Sequence, residues 1–208
     1  AFTCADLGAN TVTLTVTDPA GNTNSATATV TVEDNINPTI VTQNATIYLD
    51  ATGNANILPS TIDNGSSDNC GILTFTVSPI TSLSCYAIGQ TTVLLVGEDA
   101  SGNLAAATAI VTVVDTINPT ITAPADVTVN VDAGSCTAAF ANVALGTATA
   151  TDNCSVTTTN NASGAYALGA TTVTWTATDG SGNTATATQV VTVVDNIDPV
   201  AITQNITV

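Results

Sequence analysis

From Thr171 the chain alternates apolar and polar residues with a period of two. Val173, Trp175 and Ala177 point one way, and the threonines between them point the other. That is the pattern of a half-buried β-strand. Asp179-Gly-Ser-Gly-Asn183 follows, and the alternation then resumes. Asp-x-x-Gly-Asn is turn chemistry, because Asp can bond its own backbone and Gly can take positive φ. The pattern predicts a hairpin of Thr171–Asp179 and Ala185–Asp195. Earlier copies are predicted at Thr91–Asp99 with Ala105–Asp115, and at Thr11–Thr17 with a strand whose core face carries Ala26, Ala28, Val30 and Val32.

The landmarks recur at fixed distances. The turn aspartates Asp18, Asp99 and Asp179 are 81 and 80 residues apart. The exit aspartates Asp34, Asp115 and Asp195 keep that spacing, as do Pro38, Pro119 and Pro199. Core positions match too: Val12, Val93 and Val173, then Leu14, Leu95 and Trp175. Such self-similarity is the mark of a tandem array, and a unit of about 80 residues can hold a small core of its own. The expected domains are residues 1–37 (the end of one repeat), 38–118 and 119–198 (two complete repeats) and 199–208 (the first strand of another, since Thr203–Val208 echoes Thr42–Ile47). The chain thus reads as a window on a longer array, and the missing initiator Met and signal peptide fit a processed or truncated segment.

Within the second repeat, Ile47–Leu49, Ile57–Ile62, Leu73–Val77 and Ser84–Ala87 are expected as further strands. The third repeat offers Val127–Val131, Ala138–Val143 and Val156–Thr159. Many short strands and frequent turn signals point to an all-β fold of tandem β-sandwiches in an extended array. Gln189 breaks the pattern, standing on the core face where the other repeats have Ala28 and Ala109.

Charge narrows the function. The 208 residues contain 16 Asp plus Glu and no Lys, Arg or His, for a net charge of −16. Phosphate neutralisation of nucleic acid is excluded, and so is attraction to anionic membrane surfaces. No apolar run is long enough to insert into a membrane. Without His or Lys there is no ordinary general base, Ser-His or Cys-His pair, or cationic oxyanion clamp, so the chain is not expected to be an enzyme. A paired-carboxylate glycosidase is formally open, but small repeated domains offer no obvious cleft. Lysine-based isopeptide staples are impossible.

Five cysteines with no C-x-x-C and no His argue against zinc. Cys70 and Cys154 occupy equivalent Asp-Asn-Cys motifs. The pairs expected inside each repeat are Cys70–Cys85 and Cys136–Cys154. Cys4, the counterpart of Cys85, is left unpaired in this fragment. Buried free thiols are the alternative. Disulfides would imply an oxidising compartment.

With no basic side chain in the chain, each carboxylate must be solvated, used in a turn or held by a cation. In an immunoglobulin-like repeat, Asp-Asn-Cys and Asp-x-x-Gly-Asn sit in loops at the end where the preceding repeat's exit Asp arrives. Asp34, Asn35 and Asn37 are therefore expected to meet Asp68, Asn69, Asp99 and Asn103. Asp115 and Asn118 are expected to meet Asp152, Asn153, Asp179 and Asn183. Clustered oxygens with no basic neighbour suit Ca²⁺, which takes six to eight oxygen ligands. The competing reading is that these motifs are ordinary hairpin and Asx turns. N-x-(S/T) sequons occur at Asn44, Asn64, Asn153, Asn161 and Asn205, as chance allows in a chain rich in Asn and Thr.

Together, the Asp-Asn-Cys, Gly-x-Thr-Thr-Val, Asp-x-x-Gly-Asn and Val-x-Val-x-Asp elements resemble HYR (hyalin-repeat) domains. The resemblance implies an immunoglobulin-like fold and extracellular adhesion. Tandem versions look like the stalks of large surface adhesins of gliding bacteria, exported by the type IX system. Such repeats often carry a further Cys in the last strand, which this chain lacks. The expected role is a structural stalk or filament segment at the cell surface. Its partners would be neighbouring repeats of the same chain, other copies of the filament, and an unspecified surface glycan or protein ligand. The alternatives are a repeat that itself binds glycan or protein, or one that self-assembles into a fibre. A lectin site would need exposed aromatics beside polar groups. Phe2, Tyr48, Phe75, Tyr86, Phe140, Tyr166 and Trp175 are the whole aromatic complement.

Overall fold

The computed structural model describes residues 1–204 and 206. Among the described residues the fold is all-β apart from single helical turns, and the chain divides into two compact units. Unit 1 comprises Ala1–Leu49 and Asn54–Val114; unit 2 comprises Asp50–Gly53 and Asp115–Val208. Among the described residues no helix is long and apolar enough to cross a membrane.

Unit 1 opens with a 3₁₀ turn at Cys4–Asp6, then strands β1 (Gly8–Thr17) and β2 (Thr23–Val32). Next come β3 (Ala45–Tyr48), β4 (Asn54–Asn56), one helical turn α1 (Pro59–Ile62), β5 (Ile72–Ser78) and β6 (Ser82–Ser84). A 3₁₀ turn at Cys85–Ala87 leads into β7 (Gly89–Asp99) and β8 (Leu104–Val114). Four strands form a sheet in the order β3-β8-β7-β5, with β3 parallel to β8 and the other neighbours antiparallel. β4 and β6 form a second, two-stranded sheet. Leu49, Ile57, Ile62, Val77, Leu83, Val93, Leu95, Val111 and Val113 fill the core.

Unit 2 repeats the plan. Its strands are β9 (Thr120–Thr122), β10 (Val127–Asn130), β11 (Thr137–Ala138), β12 (Thr149–Thr151), β13 (Val156–Asn160), β14 (Tyr166–Ala167), β15 (Gly169–Asp179) and β16 (Thr184–Val194). The main sheet runs β10-β16-β15-β13, again with its first strand parallel to its last. β11 pairs with β14, and both contribute to a core of Val131, Ala138, Val143, Leu145, Tyr166, Val173, Trp175, Val191 and Val193. Sheet facing sheet over alternating inward side chains is the immunoglobulin-like sandwich.

The core register is the expected one in both units, since Val93, Leu95, Val173 and Trp175 are all buried. On the β1–β2 hairpin the equivalent Val12 and Leu14 are 37% and 69% exposed. Three predicted strands are shorter or of another kind. Ile57–Ile62 contains the α1 turn, because Pro59 has a fixed φ suited to the first helical position. Ser84–Ala87 and Ala138–Val143 each give way to a 3₁₀ turn, at Cys85–Ala87 and Phe140–Asn142. Of the strand expected in 199–208, Pro199–Gln204 and Ile206 have no regular structure. Asn205, with its sequon, Thr207 and Val208 lie outside the described residues.

Gln189 finds its reason in Trp175. The indole Nε1–H of Trp175 donates to Gln189 Oε1 at 3.1 Å. Gln189 Nε2 in turn donates to the carbonyls of Ala125 (2.7 Å) and Leu145 (2.9 Å). Gln189 is fully buried, yet its amide is satisfied on both sides. A buried indole needs an acceptor. Unit 1 has Leu95 and Ala109 at the corresponding places and needs none.

The cysteine pairing departs from expectation. Cys70 is bonded to Cys4, not to Cys85. Cys85 and Cys154 are each in disulfides, and Cys136 is the free, exposed thiol, so the Cys136–Cys154 bond is not formed. Strand length is the reason. Cys70 precedes β5, whose first residue Ile72 pairs with Asp99 at the end of β7, while Cys85 sits before Gly89 at its start. Eleven residues of strand span about 33 Å, far beyond the ~7 Å between Cα atoms that a disulfide can bridge. Cys136 and Cys154 are likewise at opposite ends of β15, beside its Gly169 and Asp179 ends respectively. Cys4, in contrast, lies just before Gly8, which pairs with Val32, so it stands where the chain leaves β2.

Candidate cation sites

Two Asx-based turns and one exit segment build each site. In the hairpin turn, Asp99 Oδ1 accepts from the backbone N–H of Ser101 and Asn103, both at 2.8 Å, and Asp99 Oδ2 accepts from Asn103 Nδ2 at 2.7 Å. Asp179 makes the same three bonds with Ser181 and Asn183. Asp18 makes them with Ala20 and Asn22. Gly102, at φ +88°, supplies the left-handed step that closes the turn. In the Asp-Asn-Cys loop, the Cys70 N–H donates to Asp68 Oδ2 at 2.8 Å, and the Cys154 N–H donates to Asp152 Oδ2 at 3.0 Å. At the exits, Asp34, Asp115 and Asp195 accept on Oδ1 from the N–H groups of Ile36, Ile117 and Ile197.

These pieces converge. In unit 1, Asp34, Asp68 and Asp99 each bring a carboxylate oxygen within 4.8 Å of the others, and in unit 2 Asp115, Asp152 and Asp179 do the same. Asp34, Asp99, Asp115 and Asp179 are all more than nine-tenths buried. Asp34 Oδ2, Asp68 Oδ1, Asp115 Oδ2 and Asp152 Oδ1 are buried with no hydrogen-bond partner. An unsatisfied buried carboxylate oxygen is costly, and three carboxylates side by side repel one another. No side-chain cation exists in the chain to relieve either. A hard divalent ion would relieve both, taking the free oxygens as ligands and completing its shell with water. The donor set is all oxygen, which fits Ca²⁺ and offers nothing soft for zinc or copper.

The asparagines hold the carboxylates in place. Asn103 Nδ2 donates to the main-chain carbonyl of Asp34 at 2.9 Å as well as to Asp99, and Asn69 Nδ2 donates to Asp34 Oδ1 at 3.1 Å. In unit 2, Asn183 Nδ2 donates to the carbonyl of Asp115 at 3.1 Å, and Asn153 Nδ2 to Asp115 Oδ1 at 3.2 Å. Asn35 and Asn37 are exposed on the segment leaving Asp34, and Asn118 is exposed in a shallow groove beside Asp152 and Asn153. Burial raises the Asp99 carboxyl, but the Asn103 side chain and the N–H groups of Asn103, Ser101 and Gly102 outweigh it and hold it below the usual range. Asp179 is lowered in the same way by Asn183, Ser181 and Gly182 against its own burial.

Residues 114–193 match the HYR domain. The repeat is HYR-like. Hyalin of Strongylocentrotus purpuratus is 34% identical over 153 residues, which is 71% of this chain and 12% of hyalin. The chain thus spans about an eighth of that relative's length. Among solved structures, extracellular cadherin domains 1–4 of protocadherin gamma B7 align over 93% of this chain and 59% of theirs, at 12% identity and a TM-score of 0.40. Domains EC21–23 of human CDH23 align over 88% of this chain and 74% of theirs, at 16% identity and a TM-score of 0.41. The Asp115, Asp152 and Asp179 cluster lies wholly within the HYR match.

Proposed function

We propose that this chain is part of an extracellular adhesion-type stalk whose HYR-like repeats are locked by divalent cations, calcium first among them. One observation carries the reading. Buried, unpartnered carboxylate oxygens belong to two equivalent three-aspartate clusters, in a chain with no basic side chain. Each cluster joins the exit segment of one sequence repeat to two loops of the next, so an ion there holds those three segments together. The disulfides fit an oxidising, extracellular setting. The absence of basic catalytic groups supports a structural rather than enzymatic role. The stalk, its surface location and its bundling with other copies are parts of the proposal. A relative from Strongylocentrotus purpuratus shares the repeat, so the repeat plan alone does not tie the chain to gliding bacteria or type IX export.

The test is thermal unfolding with Ca²⁺ and with excess chelator. A ligand bound only by the folded state adds about 2.7 kcal/mol at a hundred times its Kd. The melting temperature is expected to rise with Ca²⁺ and to lose that rise in an Asp34→Asn/Asp115→Asn double variant. An unchanged melt for the parent chain overturns the cation-locked reading.

A further inference from the structure

We infer that the Cys4–Cys70 disulfide is a positioning and redox-sensing element of the Asp34/Asp68/Asp99 site, so that cation affinity depends on the oxidation state of this bond. The inference rests on the cation reading proposed above.

The geometry is specific. Asp68-Asn69-Cys70 is one loop: Asp68 is in the cluster, Asn69 holds Asp34 in place, and Cys70 carries the bond. Asn69 Nδ2 lies 3.3 Å from Cys70 Sγ while it donates to Asp34 Oδ1 at 3.1 Å. Cys4 Sγ lies 3.4 Å from the Asn69 carbonyl oxygen, a packing contact, since a disulfide sulfur has no proton to donate. On the other side, Cys4 is anchored to the strand pair that delivers Asp34. Its 3₁₀ turn is closed by a capping box, with the Ala5 N–H donating to Thr3 Oγ1 and the Thr3 N–H donating to Asp6 Oδ2. The Gly8–Val32 register of β1 and β2 then sets this turn beside Asp34. The bond therefore ties the Asp68 loop, across 66 residues of sequence, to the turn that opens the β1–β2 hairpin, and through that hairpin to Asp34.

Without the bond, the Asp34 and Asp68 carboxylates meet against their mutual repulsion, held by the amides of Asn69 and Asn103 and by the Thr39–Ser67 and Thr42–Asp63 bridges further along the two segments. Ordering them then falls to the cation, which weakens its binding. Cys4 is exposed and open to a reductant. The reductant is a dithiol. Its thiolate attacks one sulfur and breaks the S–S bond, and its second thiol then displaces the mixed disulfide. Two electrons and two protons end on Cys4 and Cys70 as thiols, and the reductant leaves as a cyclic disulfide. Linkage is reciprocal, so bound cation also protects the bond.

The experiment is Ca²⁺ titration by calorimetry in an Asp115→Asn background, where the unit 1 site remains, with and without Cys4→Ser. At least a tenfold loss of affinity on Cys4→Ser is expected, with the far-ultraviolet circular dichroism unchanged. Equal affinities overturn the inference and leave the cation reading standing. No binding even with the disulfide intact overturns both. A second measurement covers a Cys4→Ser chain that fails to fold. The unsubstituted chain is held at a fixed dithiol concentration with and without Ca²⁺, and reduction of Cys4–Cys70 is read by alkylation and peptide mass. Calcium is expected to lower the reduced fraction, and an unchanged fraction overturns the coupling.

Discussion

Asn103 reaches the main-chain carbonyl of Asp34 at 2.9 Å, across 69 residues of sequence, with the same amide nitrogen that braces Asp99 Oδ2. One side chain thus closes a hairpin turn and fastens that turn to the segment leaving the previous hairpin. Residues that orient a ligand shell typically alter metal affinity by about 10–100-fold when removed. Asn103→Ala is expected to weaken Ca²⁺ binding at the unit 1 site within that range, while Asn183→Ala acts on the unit 2 site. Titration of each variant in the background lacking the other site checks the assignment.

The cation reading predicts two binding events per chain, one at each cluster. Asp34→Asn and Asp115→Asn should each reduce the Ca²⁺ stoichiometry from two to one, and the double variant should bind none. Replacing Asp18 tests the opposite expectation. Asp18 has the same turn bonds as Asp99 but belongs to neither cluster, so Asp18→Asn should leave the stoichiometry at two.

Trp175 and Gln189 should behave as a pair. Gln189→Ala strands the buried indole N–H and the carbonyls of Ala125 and Leu145. A loss of about 2–4 kcal/mol is expected for several buried groups left unpaired. Trp175→Leu with Gln189→Ala recreates the unit 1 arrangement and should be less destabilised than Gln189→Ala alone. Urea unfolding followed by circular dichroism compares both, and Trp175 fluorescence reports directly on the variant that keeps it.

Acid sensitivity follows from the turn carboxylates. Asp63 is held below the usual range chiefly by the Ser66 hydroxyl, against partial burial and with help from the N–H groups of Ser66, Gly65 and Asn64. A folded-state pKa below the unfolded one means that the stabilisation is fully present above the unfolded value, about 3.9. It is lost as pH falls through the lower folded value. Melting temperature in chelator should therefore be flat above about pH 5 and fall below about pH 4, within the carboxylate range. Ser66→Ala should lower the plateau and flatten the Asp63 part of the decline.

Thiol counting tests the cysteine assignment. The native chain is expected to react with one equivalent of thiol reagent, at Cys136, and with five after reduction under denaturing conditions. Trypsin has no site in this chain, so a chymotryptic or glutamyl-specific digest must supply the Cys4–Cys70 linked peptide.

The aspartates were legible in the sequence because their role is local. Asp-x-x-Gly-Asn dictates its own turn, and a fixed period places each turn relative to the next exit segment. The disulfides were not legible. The choice between Cys85 and Cys4 depends on which end of an eleven-residue strand each cysteine occupies, and spacing along the chain does not reveal that. Gln189 was visible as an anomaly, but its meaning needed the indole of Trp175 and two loop carbonyls brought to it by the fold. The sequence offers Asn69 and Asn103 as candidate ligands; the geometry gives their amide groups the work of holding Asp34.

In both units the first strand of the main sheet runs parallel to the last: β3 beside β8, and β10 beside β16. Tension entering at the start of the first strand and leaving at the end of the last pulls the two in opposite directions along their shared axis. The hydrogen bonds between them are then loaded together, in shear, instead of being peeled away one after another. Such a pairing makes the whole set of bonds, not the weakest single one, the element that a pull along the strands has to overcome.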